Sequence, residues 1–305
     1  MRKLNHKILT AIAVFLMASC AYAQNSDSTA YLNPSLPAEQ RAADLVHRMT
    51  VEEKVSQLTN QSRAIERLRI PAYNWWSEAL HGVASSGTTE FPEPVGLAST
   101  FDTDAMHRMA IAIGIEARIK RAQFERAGCS RAQEGLDFWA PNINNIFRDP
   151  RWGRDQETYG EDPSLSARLG VVFVTGMQGD DPKYYRVIST PKHYAVHSGP
   201  EPTRHTADVK VSKHDELDTY LPAFRATITE GKAGSIMCAY NSVNGSRRAP
   251  ASFCCGISCA VNGTFRAMWS PTAPPSSTSF AITTSPRRSP KPQPEPFSAA
   301  WITNA

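Results

Sequence analysis

The sequence predicts an α/β fold, specifically an incomplete (β/α)8 barrel of the TIM type. Short apolar runs typical of buried strands recur along the chain, amphipathic helices lie between them, and polar clusters follow directly after the runs. The apolar runs are Leu136–Ala140, Val171–Val174, Arg186–Ser189 and Ser235–Ala239. A closed barrel needs roughly 250 residues. The last clear strand signal falls near residue 240, so we expect the barrel to be unfinished.

Three helices are predicted from the spacing of apolar residues. The first covers residues 38–60 and contains a capping box made by Thr50 and Glu53. The second covers residues 104–126, and the third begins near Ser164 and takes in the run at Val171. The apolar positions of the first helix are Leu45, Val46, Met49, Val55 and Leu58. Those of the second are Met106, Met109, Ala110, Ile113 and Ala117, and those of the third are Leu165, Leu169, Val172 and Phe173.

Residues 1–23 are typical of a secretory signal peptide. Three basic residues lie within the first seven positions, the apolar run Ile8–Ala18 follows, and a small-residue cleavage site ends at Ala23. This run is too short to cross a bilayer, so we expect no membrane span. The mature protein should be secreted or periplasmic. The residues before Cys20 also resemble a lipoprotein signal, which leaves a lipoprotein anchored through Cys20 as the alternative.

The rest of the chain divides into a body, residues 24–245, and a tail, residues 246–305. The tail holds nine of the 22 prolines, ten serines and a single acidic residue, Glu295. Without the basic signal and tail, the body is mildly acidic despite the net charge of +4, so no nucleic acid partner is expected. We expect the tail to be disordered and not native. A genuine Pro/Ser-rich linker is the alternative.

The cysteines favour neither a disulfide framework nor a metal site. Three of the six lie in the tail, at Cys254, Cys255 and Cys259, and only Cys129 and Cys238 lie in the mature body. The tail spacing lacks the second half that a zinc site would need. No metal is therefore expected.

The segment Phe138–Pro163 combines many polar side chains with large aromatic ones, and it lacks helical or strand periodicity. Its polar members are Asn142, Asn144, Asn145, Arg148, Asp149, Arg151, Arg154, Asp155, Glu157, Glu161 and Asp162, and its aromatic members include Trp139, Phe147, Trp152 and Tyr159. Planar hydrogen-bonding groups bind hydroxyls, and aromatic rings stack on the C–H face of a sugar. The segment therefore indicates a site for a polyhydroxylated ligand. A polar surface loop held by salt bridges is the alternative.

Four motifs in the correct order resemble the N-terminal barrel domain of glycoside hydrolase family 3, over about residues 35–245. They are Asn74–Gly82, Arg148–Pro163, Pro191–Tyr194 and Met237–Asn241. The first motif resembles the β-xylosidase and arabinosidase branch more than the β-glucosidases. The resemblance implies hydrolysis of terminal non-reducing β-linked xylose- or glucose-type residues, from an oligosaccharide or an aryl or alkyl β-glycoside. It also implies a retaining mechanism without a cofactor.

By motif position, the resemblance implies six substrate-binding residues: Glu78, Arg154, Lys192, His193, Met237 and Tyr240. Arginine and lysine donate charge-assisted hydrogen bonds to vicinal hydroxyls, and a carboxylate accepts from two of them.

Each of these residues also has a simpler interpretation. Lys192 and His193 could be a solvated pair, and Glu78 could form a surface salt bridge with Arg63 or Arg67. Tyr240 could merely bury its ring. The neighbouring His81 could be a packing histidine or a ligand contact.

No catalytic residue can be assigned, because the family's nucleophile motif, Gly-Tyr-Val-Val-Ser-Asp, and its acid/base are not found. A one-base shift of the codons around Met268 and Trp269 permits Tyr-Val-Val-Ser-Asp, which suggests a change of reading frame near Gly245 and Ser246. We therefore expect a glycosidase-type chain with little or no turnover. The alternatives are a non-catalytic sugar-binding protein and a non-functional product.

Overall fold

The computed structural model describes residues 29–144, 152–197, 199–247, 266–268 and 281–283. The predicted signal peptide with Cys20, the tail cysteines, Glu295 and Trp269 of the predicted frame change lie outside these ranges. So do five members of the predicted ligand-binding segment: Asn145, Phe147, Arg148, Asp149 and Arg151. None of the helices within the described ranges is long and apolar enough to cross a membrane. The chain divides into two compact units, residues 1–54 and 55–305.

The prediction of one continuous helix over residues 38–60 is wrong. Helix α1 covers Ala38–Arg48, Met49 is extended, and helix α2 covers Val51–Ser56. The capping box is confirmed and accounts for the break, because the N–H of Glu53 donates to Oγ1 of Thr50 (3.2 Å) and the N–H of Thr50 donates to Glu53 (2.9 Å). The apolar stripe is not buried, since Val46 and Val55 are 49% and 58% exposed.

The second unit alternates short strands with helices. Its further helices are α3 (Pro94–Ala98), α4 (Thr103–Arg126), α5 (Pro163–Gln178), α6 (Lys213–Asp215) and α7 (Pro222–Thr229). The strands are β1 (Gln61–Ser62), β2 (Tyr73–Asn74), β3 (Asp137–Phe138), β4 (Ile188–Ser189), β5 (Asp208–Val209), β6 (Ser242–Val243), β7 (Ser246–Arg247), β8 (Arg266–Met268) and β9 (Ala281–Thr283).

Parallel pairing joins neighbouring segments in the order that a TIM-type barrel requires. Ser77 pairs with Phe138, β3 pairs with β4, and Tyr194 pairs with Cys238, each in parallel. Helices α4, α5 and α7 lie in the chain between these successive segments. Strands β3 and β4 are shorter than the predicted runs 136–140 and 186–189, and the predicted run 235–239 contains the bridge to Tyr194 at Cys238 but no regular strand. Their order and direction agree with the predicted α/β barrel architecture.

Helices α4 and α5 occur where the apolar spacing predicts them, and they pack together closely. Met106, Met109, Ala110, Ile113 and Ala117 are all buried on α4, as are Leu169 and Phe173 on α5. The close approach needs glycine at position 176. A Cβ there would lie 2.7 Å from Cβ of Ala110 and 2.8 Å from the carbonyl oxygen of His107.

Strand β3 begins with Asp137, whose carboxyl group lies at the amino end of the parallel segments. The phenol of Tyr73 donates to Asp137 (2.5 Å) and accepts from the N–H of Leu136 (2.8 Å). Burial raises the pKa of Asp137 to about 6, although the hydrogen bond from Tyr73 opposes this change. Burial, followed by the nearby Asp137, also raises the pKa of Tyr73.

A hairpin crosses the predicted boundary at residue 245. Strands β6 and β7 pair antiparallel through Asn244 and Gly245, which both have positive φ angles, 51° and 81°. Asn-Gly is the preferred sequence for such a two-residue turn. Within the predicted tail, the described residues also include the antiparallel pair β8–β9.

Candidate active site

The site lies where neighbouring parallel segments end. Asn142 forms a parallel bridge with Lys192, directly after β3 and β4, and the N–H of Met237 donates to the carbonyl oxygen of Pro191 (3.0 Å). Glu78 immediately follows the bridge residue Ser77. Because the carboxyl ends of parallel strands meet at one edge, side chains from distant motifs come together there.

Glu78 and Lys192 form a direct ion pair. The ammonium of Lys192 donates to Oε2 of Glu78 (2.7 Å), and the two side chains are 2% and 30% exposed. The interpretation of Glu78 as a partner of Arg63 or Arg67 is therefore wrong, because its partner is Lys192. The interpretation of Lys192 and His193 as a solvated pair is also wrong, because both are buried. The partial exposure of Glu78 leaves carboxylate surface to which a ligand has access.

Arg154 is held by a two-point contact with Glu157. Nε of Arg154 donates to Oε1 (2.9 Å) and a terminal nitrogen donates to Oε2 (2.7 Å), a fork geometry that fixes the guanidinium plane. Burial disfavours the Glu157 carboxylate, but the hydrogen bonds and charge of Arg154 outweigh burial, so the pKa of Glu157 is lowered. The charge of Lys192 acts on Glu157 in the same direction.

His193 is held by hydrogen bonds to its main chain, and its ring belongs to a buried group of edge-to-face aromatic contacts. The amide of Asn144 accepts from the N–H of His193 (2.8 Å) and donates to its carbonyl oxygen (3.0 Å). The ring of His197 lies edge-on to those of His193 and Trp152, with centroids 4.9 and 5.4 Å apart. The described members of the Phe138–Pro163 segment therefore do not form a surface loop, since Trp152 is fully buried.

Both histidines are neutral at ordinary pH. Burial lowers the pKa of His193 well below its usual value, and the neighbouring His197 and the charges of Arg154 and Lys192 act in the same direction. Burial and then the charges of Arg154 and Arg204 lower the pKa of His197 to about 3. A neutral imidazole can donate and accept hydrogen bonds at the same time, which suits recognition of a hydroxyl group.

Met237 and Tyr240 belong to an aromatic cluster beside the ion pairs. Met237 packs with Trp75 and Trp139, and Tyr240 lies partly buried against this group. Trp139 meets Trp75 and Trp76 edge-on, with centroids 5.7 and 5.4 Å apart. The cluster gives the polar groups an apolar wall. The simpler interpretation, that Tyr240 merely buries its ring, holds only in part, because the residue is partly exposed.

His81 does not join the other predicted residues. Its Nδ1 lies 2.8 Å from the carbonyl oxygen of Phe91, and its Nε2 lies 3.8 Å from Glu93. These contacts give it a role in holding a loop. Among the residues that the structure describes, no three His, Cys, Asp or Glu side chains are grouped so that they could hold a metal ion.

The structure adds positioning residues whose roles the sequence did not reveal. Glu157 and Asn144 were candidates only as members of a polar segment, although the spacing of three between Arg154 and Glu157 could have suggested their contact. His197 and the pair Glu201–Arg204 were missed. The latter lie in a proline-rich stretch without a regular pattern.

Comparison with known proteins agrees with this architecture. The Glycosyl hydrolase family 3 N terminal domain matches residues 40–257, which extend past the predicted boundary at 245. A xylan 1,4-beta-xylosidase from Xylanibacter ruminicola is 43% identical over 244 residues, which are 78% of this chain and 28% of that protein. A probable beta-D-xylosidase from Arabidopsis thaliana is also 43% identical, over 70% of this chain and 30% of the relative.

Solved structures give the same fold. A family 3 exo-beta-xylosidase in complex with a xylobiose aziridine probe aligns with a TM-score of 0.63 and 33% identity, over 73% of this chain and 30% of that one. Beta-glucosidase 3B from Thermotoga neapolitana, in complex with glucose, aligns with a TM-score of 0.56 and 25% identity, over 67% of this chain and 30% of that one. The chain thus spans about 30% of the length of the curated relatives it matches. It belongs to glycoside hydrolase family 3, and its residues 40–257 correspond to the N-terminal domain of that family.

Proposed function

We propose that this chain carries the sugar-binding part of a β-glycosidase that hydrolyses terminal β-linked xylose or related residues from the non-reducing end. The observation that carries the proposal is the convergence of two ion pairs at the carboxyl ends of the parallel segments. Glu78 pairs with Lys192, and Asn142, which bridges to Lys192, also donates to Glu157 (3.5 Å), the partner of Arg154. The relatives named as xylosidases support xylose as the preferred sugar, with arabinose and glucose as the other candidates.

The chemistry of the site suits an uncharged sugar. Arg154 and Lys192 are already oriented by carboxylates, so their remaining N–H groups can donate to vicinal hydroxyls without further ordering. Glu78 can accept from a hydroxyl on its exposed side. The aromatic cluster next to Met237 supplies an apolar surface for the C–H face of the ring.

We further propose that the polypeptide, as its sequence is printed, has little or no turnover by itself. The retaining mechanism of glycosidases needs two carboxyl groups about 5–5.5 Å apart, one as nucleophile and one as acid/base. The only carboxylate side chain in the tail is Glu295, and the prolines around it in the run 291–296 are disfavoured inside a sheet. Loss of the nucleophile removes the covalent route.

The absence of the motif is explained, in this proposal, by a change of reading frame near Gly245. The coding nucleotides test this directly, because the alternative frame must encode Tyr-Val-Val-Ser-Asp across the codons of Met268 to Thr272. A different peptide in that frame would refute the proposal. The signal-like residues 1–23 support a secreted or periplasmic location for the protein.

Sugar binding without hydrolysis is the second candidate function. It is favoured by the burial of Lys192 and His193, since the site is assembled from the described residues alone.

Release of nitrophenol from 4-nitrophenyl β-D-xyloside, β-D-glucoside and α-L-arabinofuranoside distinguishes the candidates. We expect no release above background from this chain. We expect release only from a chain that is translated in the corrected frame and continued to the length of the family 3 relatives, so that both carboxyl groups are present. Release at an ordinary enzymatic rate by the printed chain would contradict the proposed inactivity. A corrected chain of the relatives' full length that cleaves none of the three glycosides would contradict the proposed glycosidase function.

A further inference from the structure

Three ion pairs surround the two neutral histidines of the candidate site. They are Lys192 with Glu78, Arg154 with Glu157, and Arg204 with Glu201. The first two belong to the site already described. The third lies on the segment 199–206, outside the motifs that carry the family resemblance.

The segment 199–206 is anchored beside the site. It enters strand β5, which pairs with β6, and the N–H of Ser242 donates to the carbonyl oxygen of Ala207 (2.8 Å). Within the segment, the ring of His205 packs against Tyr240 with centroids 4.6 Å apart. The third ion pair is therefore held next to a predicted substrate-binding residue.

The charges of the third pair act on the pKa values of other residues in the site. The guanidinium of Arg204 contributes to the lowered pKa of both His193 and His197. The carboxylate of Glu201 acts on Arg154 and favours its charged form. The pair thus belongs to the same electrostatic environment as the two ion pairs that hold the predicted sugar-binding groups.

Arg204 and Glu201 also retain hydrogen-bonding capacity. Nε of Arg204 and Oε2 of Glu201 are buried, and neither has a hydrogen-bond partner in the described part of the chain. Their side chains remain 32% and 36% exposed. Because about a third of each side chain is exposed, a ligand could reach the pair from its open side, where a guanidinium without a carboxylate partner would bind a ligand carboxylate.

We propose that Glu201 and Arg204 determine specificity for uncharged sugars over sugar acids. The inference rests on the proposed sugar-binding function and extends it. Three cations face three carboxylates and the histidines are neutral, so the described site offers no excess positive charge to compensate a bound carboxylate. Glu201 is the group that neutralises Arg204, and its removal would create such an excess.

Calorimetric titration with methyl β-D-xyloside and with methyl β-D-glucuronide tests the inference. Glu201→Gln should raise the ratio of glucuronide to xyloside affinity roughly tenfold, as expected for one uncovered charge near the ligand. Added salt should reduce this gain. Glu201→Gln/Arg204→Gln should restore the wild-type ratio, and Arg204→Gln alone should lower it below wild type.

Glu230→Gln is the matched control. Glu230 forms an ion pair with Arg168 in which both side chains are about half exposed, so the same change of charge occurs there without a role at the site. An unchanged ratio in both Glu201→Gln and Arg204→Gln, or an equal rise in Glu230→Gln, would overturn the inference. A wild-type chain that binds no xyloside would instead overturn the proposed function on which the inference rests.

Discussion

The Glu78–Lys192 pair allows stability and sugar binding to be separated. Removing one partner of a buried ion pair costs about 3–5 kcal/mol, because the other charge is left buried and unpaired. Glu78 is 30% exposed whereas Lys192 is 2% exposed, so water compensates part of this loss. We therefore expect Glu78→Leu to lower the free energy of unfolding by roughly 2–3 kcal/mol.

Replacing both partners with apolar residues should behave differently. The double variant Glu78→Leu/Lys192→Met leaves no unpaired charge, so its stability should return to within about 1 kcal/mol of wild type. Binding of methyl β-D-xyloside should nevertheless be lost, because the donor and the acceptor for sugar hydroxyls are both gone.

Urea denaturation followed by tryptophan fluorescence measures the stabilities, and calorimetry measures the binding. Completing the cycle with Lys192→Met gives the coupling energy between the two side chains. The reasoning is refuted if Glu78→Leu costs less than about 0.5 kcal/mol, or if the double variant binds the xyloside as wild type does.

Three further predictions concern packing, titration and positioning. Gly176→Val should lower the free energy of unfolding by about 1–3 kcal/mol, measured by urea denaturation, since its side chain would overlap Ala110 on α4; Gly96→Val on helix α3, where a Cβ meets nothing within 4 Å, is the control without crowding. The pKa of Asp137 is about 6 in the folded state, against 3.8 when unperturbed, so the folded state holds more protons between these pH values. The free energy of unfolding of the wild type should therefore fall as pH rises from about 4 to 6, by at most about 3 kcal/mol. Asp137→Asn should abolish that fall in thermal unfolding measured across the same pH range, and an unchanged pH profile would contradict the assignment. Glu157→Gln should weaken xyloside binding about tenfold in calorimetry and lower the free energy of unfolding by about 1–3 kcal/mol, because the largely buried Arg154 keeps hydrogen bonds but loses the charge of its partner; equal affinity would show that Glu157 does not position Arg154.

Local patterns predicted the elements that depend on local interactions. The spacing of Met106, Met109 and Ile113 gave α4 within one residue of its observed start, and the reciprocal Thr50–Glu53 bonds were also predicted. The break at Met49 was not predicted, because an apolar stripe can continue in sequence while the capping box starts a new helix.

Contacts between distant residues could not be predicted from spacing. Lys192 lies 114 positions from Glu78, and the sequence offered only the nearer arginines Arg63 and Arg67 as ion-pair partners. Motif resemblance placed both residues in one site, but only the parallel bridges determine that they meet. The spacing of three between Glu201 and Arg204 could have suggested their contact, but their place beside Tyr240 depends on the pairing of β5 with β6.

Calorimetric titration of the printed chain with methyl β-D-xyloside, paired with Lys192→Met, tests the central claim most directly. The account predicts saturable one-to-one binding by the wild-type chain and none by the variant. A wild-type chain that releases no heat at any xyloside concentration, while its melting curve shows a cooperative fold, would contradict it.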